Sequence, residues 1–192
     1  MKMFGLKPRI RVVSASRIDT ERLVLRCPVA SDAHGISQLL GNWNVAHWVV
    51  RVPFPFRSEH AAAWIARSAD ERAAGIGWPF LITLRDSNSM IGSIDLSIEG
   101  DRSSGALGYW LGEDYWGQGY ATEAAIAVVG FAFEILKLKE VTANALPDNQ
   151  RSIHVLEKAG LRHVGNESEE TVERGRVNTE LFALKRTAWR GR

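Results

Sequence analysis

The sequence predicts an α/β protein built on a mixed sheet with helices on both faces. Three observations lead there. Strand-like segments outnumber helical ones, yet helices alternate with strands through the C-terminal half, which is the pattern of a sheet covered on two sides. The segment from Ala121 to about Leu136 is apolar on nearly every side (Ala121, Ala124, Ile126, Val128, Phe131, Phe133, Ile135), so that helix must lie between other layers. The 192 residues, 45% of them hydrophobic, suit one well-formed core and would be cramped as two.

Residues 1–16 have no clean period and include Pro8, and read as an N-terminal extension to a single domain over 17–192. From Arg22 to Cys27 apolar residues alternate at 23, 25 and 27, a half-buried strand with Cys27 expected on its core face. Ser31 and Asp32 are N-cap types for a short helix ending near Gly41. In 42–56 Trp43, Trp48, Phe54 and Phe56 interleave with Pro53 and Pro55, which forbid a continuous helix and favour an extended connection. Its aromatic residues suit core plugs or the walls of a cleft.

Ser58 can cap a helix from Glu59 to about Ala74, with Ala62, Ile65 and Ala69 on one side and Gly75 as its stop. Trp78 to Arg85 and Met90 to Glu99 read as strands around the turn formers Asp86 to Ser89. The polar run Gly100 to Gly105 leads into a strand ending at Leu111. Beyond the apolar helix, where Glu123 near the start and Lys137 and Lys139 near the end suit the macrodipole, Glu140 to Leu146 is a strand. Pro147-Asp-Asn149 turns the chain, Asn149 caps a helix from Gln150 to Ala159, and Gly160 stops it. Leu161 to Val164 and Val177 to Leu184 close the sheet around an acidic connection, Glu167 to Gly175.

Composition narrows the function classes. A net charge of +2 is too balanced for nucleic acid as main partner. The single cysteine excludes an intramolecular disulfide and fits a reducing compartment. No apolar run approaches the roughly 20 residues of a membrane helix. The basic residues Lys2, Lys7, Arg9 and Arg11 flank only short apolar pieces, unlike a signal peptide, so a cytoplasmic protein is expected. The five histidines share no ligand spacing with one another or with Cys27, which argues against a metal site. Neither a Walker-type phosphate loop nor a Gly-x-Ser-x-Gly elbow occurs.

The chemistry concentrates in Gly108-Tyr-Trp-Leu-Gly-Glu-Asp-Tyr-Trp-Gly-Gln-Gly-Tyr-Ala-Thr-Glu-Ala124: a strand, a glycine turn and a helix start. Such a turn is an anion site, because first-turn amides have no helical acceptor and glycines let the backbone approach a ligand. Taken alone, Gly-x-Gly fits a merely tight connection as well. The residues resemble the GNAT superfamily of acetyl-CoA-dependent N-acetyltransferases, whose Arg/Gln-x-x-Gly-x-Gly/Ala signature corresponds to Trp116-x-x-Gly119-x-Ala121. Tryptophan at the first position, Tyr-Trp-Gly-Gln-Gly-Tyr-Ala-Thr-Glu-Ala, and the opening Thr20-Glu-Arg-Leu-Val-Leu-Arg26 followed by Ser31-Asp32 are similar to the branch holding the ribosomal-protein N-terminal alanine acetyltransferases.

The resemblance implies a largely antiparallel mixed sheet in which two parallel strands splay, those ending at Leu111 and starting at Glu140. Acetyl-CoA would enter the wedge, with cofactor contacts at Trp110, Leu111, Gly112, Trp116, Gly117, Gln118, Gly119, Tyr120, Ala121, Thr122, Asn144, Asn149 and Ser152. The second family signature, Asn-x-x-Ala-x-x-x-Tyr-x-x-x-Gly-Phe, runs here from Asn149 to Leu161, with Ser152 for alanine and Leu156 for the tyrosine that protonates the leaving thiolate. In the ribosomal-protein branch serine at this place is the proposed general acid, a role that needs an O–H beside the sulfur; read structurally, Ser152 is a first-turn residue bonding a free amide.

For the base, the resemblance puts Thr171 in register with the family glutamate, Glu169 and Glu170 within a slip of one or two, and Glu99 as a competitor. Glu170 and Glu99 are the assigned candidates. The run Glu167, Glu169, Glu170, Glu173 also fits a solvated face. The expected activity is direct transfer of acetyl from acetyl-CoA to a primary amine, the N-terminal α-amine of a protein in the first instance. A small amine such as an antibiotic or polyamine, or a non-catalytic coenzyme A-binding module, are the other readings. No metal, nucleic acid or membrane partner is expected, and a homodimer is left open.

Overall fold

The computed structural model describes residues 11–171 and 175–191; the expectations for residues 1–10 and for Glu173 lie outside them. Among the described residues nine strands form one sheet: β1 (Arg11–Ser14), β2 (Arg17–Asp19), β3 (Leu23–Arg26), β4 (Phe80–Leu84), β5 (Met90–Glu99), β6 (Ser104–Leu111), β7 (Glu140–Ala145), β8 (Arg162–Thr171) and β9 (Gly175–Lys185). Their spatial order is β1-β2-β3-β4-β5-β6-β7-β9-β8. Every neighbouring pair is antiparallel except β6 and β7, which run parallel. That junction joins the two halves of the sheet.

Alternation along the strands gives each face its own core. On one face α4 (Tyr120–Glu134) and α5 (Gln150–Ala159) pack on Leu23, Leu25, Phe80, Ile82, Ile94, Leu96, Leu107 and Leu111. Residues from Ala124 to Phe133 are almost all buried, as an all-round apolar helix requires, and Phe131 meets Trp78 and Phe80 edge-on at 6.2 and 5.8 Å. Each such buried phenylalanine contributes about 1.5–3 kcal/mol through removal of its apolar surface from water. On the other face α1 (Ala33–Leu40), α2 (Trp43–Ala46) and α3 (Ser58–Ala73) cover Leu81 with Ile36, Leu40, Val45 and Ala61.

Several local expectations change. Arg11–Ser14, read as part of an arm, is a strand paired with β2. Cys27 falls one residue past β3, where its half-buried thiol lies 3.5 Å from the Ser16 carbonyl instead of in the core. Asp32 stands at the N-cap of α1 but its carboxylate accepts from Arg26 and from the Val29 amide, which hold it below the ordinary carboxylate value against the opposing effect of burial. Within 42–56 a single helical turn, α2, survives between the aromatic residues, started by the Asn42 side chain accepting from the Asn44 amide.

The buried stripe of α3 runs through Ala61, Trp64, Ile65 and Ser68, so Ala62 and Ala69 face water; alanines on both sides gave the periodicity no contrast. The acidic connection is in large part strand. β8 continues to Thr171 and pairs with β9 through Glu167↔Thr179, Glu169↔Val177 and Thr171↔Gly175. A mostly exposed edge strand needs no apolar alternation, and charges on it discourage further pairing.

Candidate active site

The two parallel strands separate within the sheet. β6 and β7 are paired only at Ser104↔Glu140, Gly105↔Val141 and Ala106↔Thr142. Beyond those residues β6 stays on β5 as far as Leu111, and β7 stays on β9 as far as Ala145. The splay expected of the strand ending at Leu111 and the strand starting at Glu140 is present, and it leaves a wedge between 107–111 and 143–145.

The glycine turn closes one end of the wedge. Gly117 and Gly119 have φ of +73° and +81°, and Gly119 is the N-cap of α4. A side chain at either would be strained there. The first turn begins with the Glu123 amide bonding the Gly119 carbonyl, so the amides of Tyr120, Ala121 and Thr122 precede any helical acceptor. These amides could hold a phosphate.

Arg22 braces the turn from the start of β3. Its Nε donates to Glu123 Oε2 at 2.7 Å, its Nη1 to the Gln118 carbonyl at 3.0 Å, and its guanidinium lies 4.6 Å from the Tyr120 ring centre. Glu123 also accepts from the Thr20 hydroxyl at 2.6 Å and the Arg22 amide at 2.8 Å. Trp116 is a strut. Its indole Nε1 donates to the Leu111 carbonyl at 2.8 Å, and Arg151 stacks on it at 5.0 Å. A side chain anchored to the strand replaces the usual basic or amide residue at this place.

Most sequence-designated positions meet in one cavity of about 1810 Å³: Trp110, Leu111, Trp116, Gly117, Gly119, Tyr120, Ala121, Thr122, Asn144, Asn149 and Ser152, with the base candidates Glu99 and Glu170 also on its lining. Two do not line it. The Gly112 amide bonds the Ile91 carbonyl, and a Cβ there would come within 2.8 Å of Leu39. Gln118 turns its amide to the Asp114 carbonyl. Phe56, Trp48 and Trp64 also line the cavity, so aromatic residues from 42–56 act as cleft walls, whereas Trp43 is largely exposed.

Ser152 sits in the first turn of α5, where its amide is capped by Asn149 Oδ1 at 3.1 Å. Its hydroxyl is 2.7 Å from the hydroxyl of Tyr109, a residue of β6 that the sequence motifs did not single out. Tyr109 also donates to the Ser152 carbonyl at 3.1 Å. Burial pushes the phenol well above its ordinary value, against the opposing effect of Ser152, so it stays protonated and can donate. Leu156, at the place of the family tyrosine, is fully buried in the core. A tyrosine hydroxyl does reach this helix turn, but from the strand.

The acidic candidates separate. Glu170 is exposed, with its carboxylate 4.0 Å from Arg176 Nε. Glu169 is half-buried and accepts from Asn144 Nδ2 at 2.5 Å, while Glu167 accepts from the same amide at 3.1 Å. Glu99 is exposed where β6 and β7 are still paired, its partner in register being Ser104, and accepts weakly from Thr142 at 3.5 Å.

Asp95, which the sequence reading passed over, is half-buried on β5 with a value raised to about 6 by burial, against the weak help of Ser97 at 3.4 Å. The available signal was a lone acid between Ile94 and Leu96 in a strand otherwise without charge until Glu99.

Comparison with known proteins agrees with this geometry. The model of an acetyltransferase (GNAT) domain matches residues 22–162. The protein named Uncharacterized N-acetyltransferase p20 of Bacillus licheniformis is 27% identical over 90% of this chain and 97% of its own length. Among solved structures, the ribosomal-protein-S5-alanine acetyltransferase of Vibrio fischeri is similar with a TM-score of 0.78 at 20% identity, over 91% of this chain and 98% of that one. RimJ of Mycobacterium smegmatis in complex with CoA-disulfide is similar with a TM-score of 0.77 at 22% identity, over 93% and 86%. These two likenesses are of fold. The family match, over residues 22–162, spans the wedge, the glycine turn and the whole of α5, and the chain belongs to the GNAT acetyltransferases, acetyl-CoA-dependent enzymes that acetylate amines.

Proposed function

We propose that the enzyme acetylates the N-terminal α-amine of a protein or peptide. The observation that carries this reading is the size and position of the cavity. Its volume of about 1810 Å³ exceeds the roughly 300–1,000 Å³ of an ordinary small-ligand cleft, which leaves room for a chain end beside a nucleotide thioester. Its rim on β8 carries Glu167 and Glu169, which suit a cationic terminus. One similar structure is of a protein named ribosomal-protein-S5-alanine acetyltransferase, which supports a protein acceptor.

The chain's residues fit coenzyme A at both ends. Amides from Gly117 to Thr122 take the pyrophosphate, with the open space around a Cβ at Gly117 admitting a close ligand approach. Backbone N–H groups on the edge of β6 that faces the wedge near Leu111 would bond the pantetheine arm and polarise the thioester carbonyl. Ser152, hydrogen-bonded to Tyr109, gives the departing thiolate its proton. An α-amine, with pKa about 7.7–8.0, supplies roughly a tenth of its population as free nucleophile at pH 7, far more than a lysine at about 10.4.

The test is mass spectrometry of short peptides with free or blocked N-termini, with and without lysine, after incubation with acetyl-CoA and enzyme. Acetylation of free N-termini alone is expected. Modification confined to lysine side chains, or to small amines such as a polyamine with every peptide untouched, would refute the proposal.

A further inference from the structure

Asp95 and Tyr109 lie on opposite faces of the sheet at the mouth of the wedge. Asp95 on β5 is in register with Gly108 on β6, so both point to the face covered by α1 and α3. Tyr109, one residue on, points to the face of α4 and α5 and reaches Ser152. Gly108 is two residues beyond Ala106, the last residue of β6 paired with β7. Continuing that parallel register places Asn144 across the wedge from Gly108, and Asn144 is the residue that binds Glu167 and Glu169. The wedge mouth therefore has carboxylates at one level on both sides.

The two sides differ in what else holds them. Glu169 is committed to a 2.5 Å bond from Asn144. Asp95 has the 3.4 Å contact from Ser97 and lies over a glycine: a Cβ on Gly108 would sit 3.0 Å from Asp95 Oδ1. The glycine thus lets the carboxylate lie across β6, where both residues line the cavity. Charges that act on Asp95 come from α3, as Glu71 and Arg67, and from the loop residue Arg51. Glu71 and Arg67 are themselves 3.4 Å apart, which reduces their net effect.

We propose that Asp95 is the catalytic base that takes the proton from the acceptor's ammonium group. This rests on the acetyltransferase reading above and names its missing residue. The ammonium gives one N–H proton to the Asp95 carboxylate, and the freed lone pair forms the C–N bond at the thioester carbonyl. As the tetrahedral adduct collapses, the C–S bond breaks and the sulfur takes its pair. Asp95 passes this first proton to water, then takes the second N–H proton from the adduct's nitrogen and releases it likewise, while Ser152 gives its hydroxyl proton to sulfur and regains one from solvent. The products are the amide, the thiol and one proton. Base and acid act from opposite faces of the sheet, so neither proton crosses the path of the other.

The experiment compares the wild type, Asp95→Asn and Glu169→Gln on a short alanine-initiated peptide, following thiol release and peptide mass from pH 6 to 9. Binding of coenzyme A and thermal unfolding are measured on each to establish that the fold is intact. At pH 7 Asp95→Asn is expected to lower kcat/KM by about 10²–10⁴-fold, the range for a lost general base, and Glu169→Gln by less than about tenfold. Since Asp95→Asn must wait for amine already neutral, its deficit relative to the wild type should shrink about tenfold as pH rises from 7 past the amine's pKa, near 8, and then level off.

A structural role would instead give a constant factor at all pH values, and that result overturns the proposal. So does an unchanged rate in Asp95→Asn with Glu169→Gln inactive, or an Asp95→Asn protein that no longer binds coenzyme A. If the wild type acetylates no amine, the acetyltransferase reading itself falls. If it does and Asp95→Asn matches it, only Asp95 falls.

Discussion

The hydroxyl of Tyr109 lies 2.7 Å from the hydroxyl of Ser152, joining the splayed strand β6 to the first turn of α5. One proton donor is thereby backed by another that burial keeps protonated.

If the pair acts as a unit on the thiolate, Ser152→Ala and Tyr109→Phe should each lower kcat by roughly ten- to ten-thousand-fold, with little change in the KM for acetyl-CoA. The double variant should be hardly worse than either single one, because residues in one hydrogen-bond network do not add. Stability should fall by only about 1 kcal/mol in each single variant, the net worth of one hydrogen bond. Steady-state kinetics where chemistry limits the rate check this, and additive losses would show that the two hydroxyls work separately.

Gly119→Glu should abolish coenzyme A binding. The substitution puts a β-carbon 3.4 Å from the Arg22 guanidinium at a φ of +81° and adds a negative charge where phosphate oxygens are to lie. Calorimetry with coenzyme A, together with the ligand-induced rise in Tm that binding to the folded state alone produces, provides the measurement. Wild-type affinity in the variant would remove the turn from the cofactor site.

Glu123→Ala should destabilise the protein by about 1–3 kcal/mol, because it removes the partner of the Arg22 amide and of Arg22 Nε and leaves the buried Thr20 hydroxyl only its bonds with Leu23. Arg22→Ala should cost less than about 1 kcal/mol, as an exposed partner does, yet weaken coenzyme A binding by loosening the turn. Denaturant melts and calorimetry on the two variants separate the effects. Equal stability losses would contradict the asymmetry.

The raised value of Asp95 has a stability consequence of definite sign. Between its ordinary value of 3.8 and about 6 the folded protein binds a proton that the unfolded chain has released, so stability falls as pH rises through that window. Above pH 6 the full cost is present. Asp95→Asn should therefore stabilise the protein at pH 8, by at most about 2–3 kcal/mol, and by almost nothing at pH 4. Chemical denaturation at the two pH values is the check, and equal effects of the substitution at both would show that the carboxylate is not desolvated.

The parts legible in the sequence were those written in backbone chemistry or in uninterrupted apolarity. Glycines at 117, 119 and 160 announced positive φ, and the all-round apolar run of α4 announced burial between layers. The α3 face was not legible, since alanines on both sides made burial a matter of tertiary contact. The extent of β8 was hidden too: an exposed edge strand can be acidic because its partner supplies the hydrogen bonds.

In the site, the turn could be located from local spacing, and Ser152 only through the resemblance of 149–161 to the family's second signature. Tyr109, Asp95 and Arg22 could not, because their roles depend on register and on neighbours 43, 13 and 101 residues away, the separations to Ser152, Gly108 and Glu123.

The span from Arg22 to Glu123 bears on how this molecule can be cut and exchanged. The glycine turn is written in a dozen consecutive residues, yet its brace comes from the first strand of the family-matched region. A fragment beginning at β6 would carry the turn's whole sequence without the groups that hold it. A chimaera that takes the central segment from a relative inherits a working turn only if Thr20 and Arg22 travel with it, or if the recipient offers the same two donors at the head of its own first strand. The unit of inheritance for this proposed cofactor site is therefore discontinuous, two short pieces of chain a hundred residues apart that must change together.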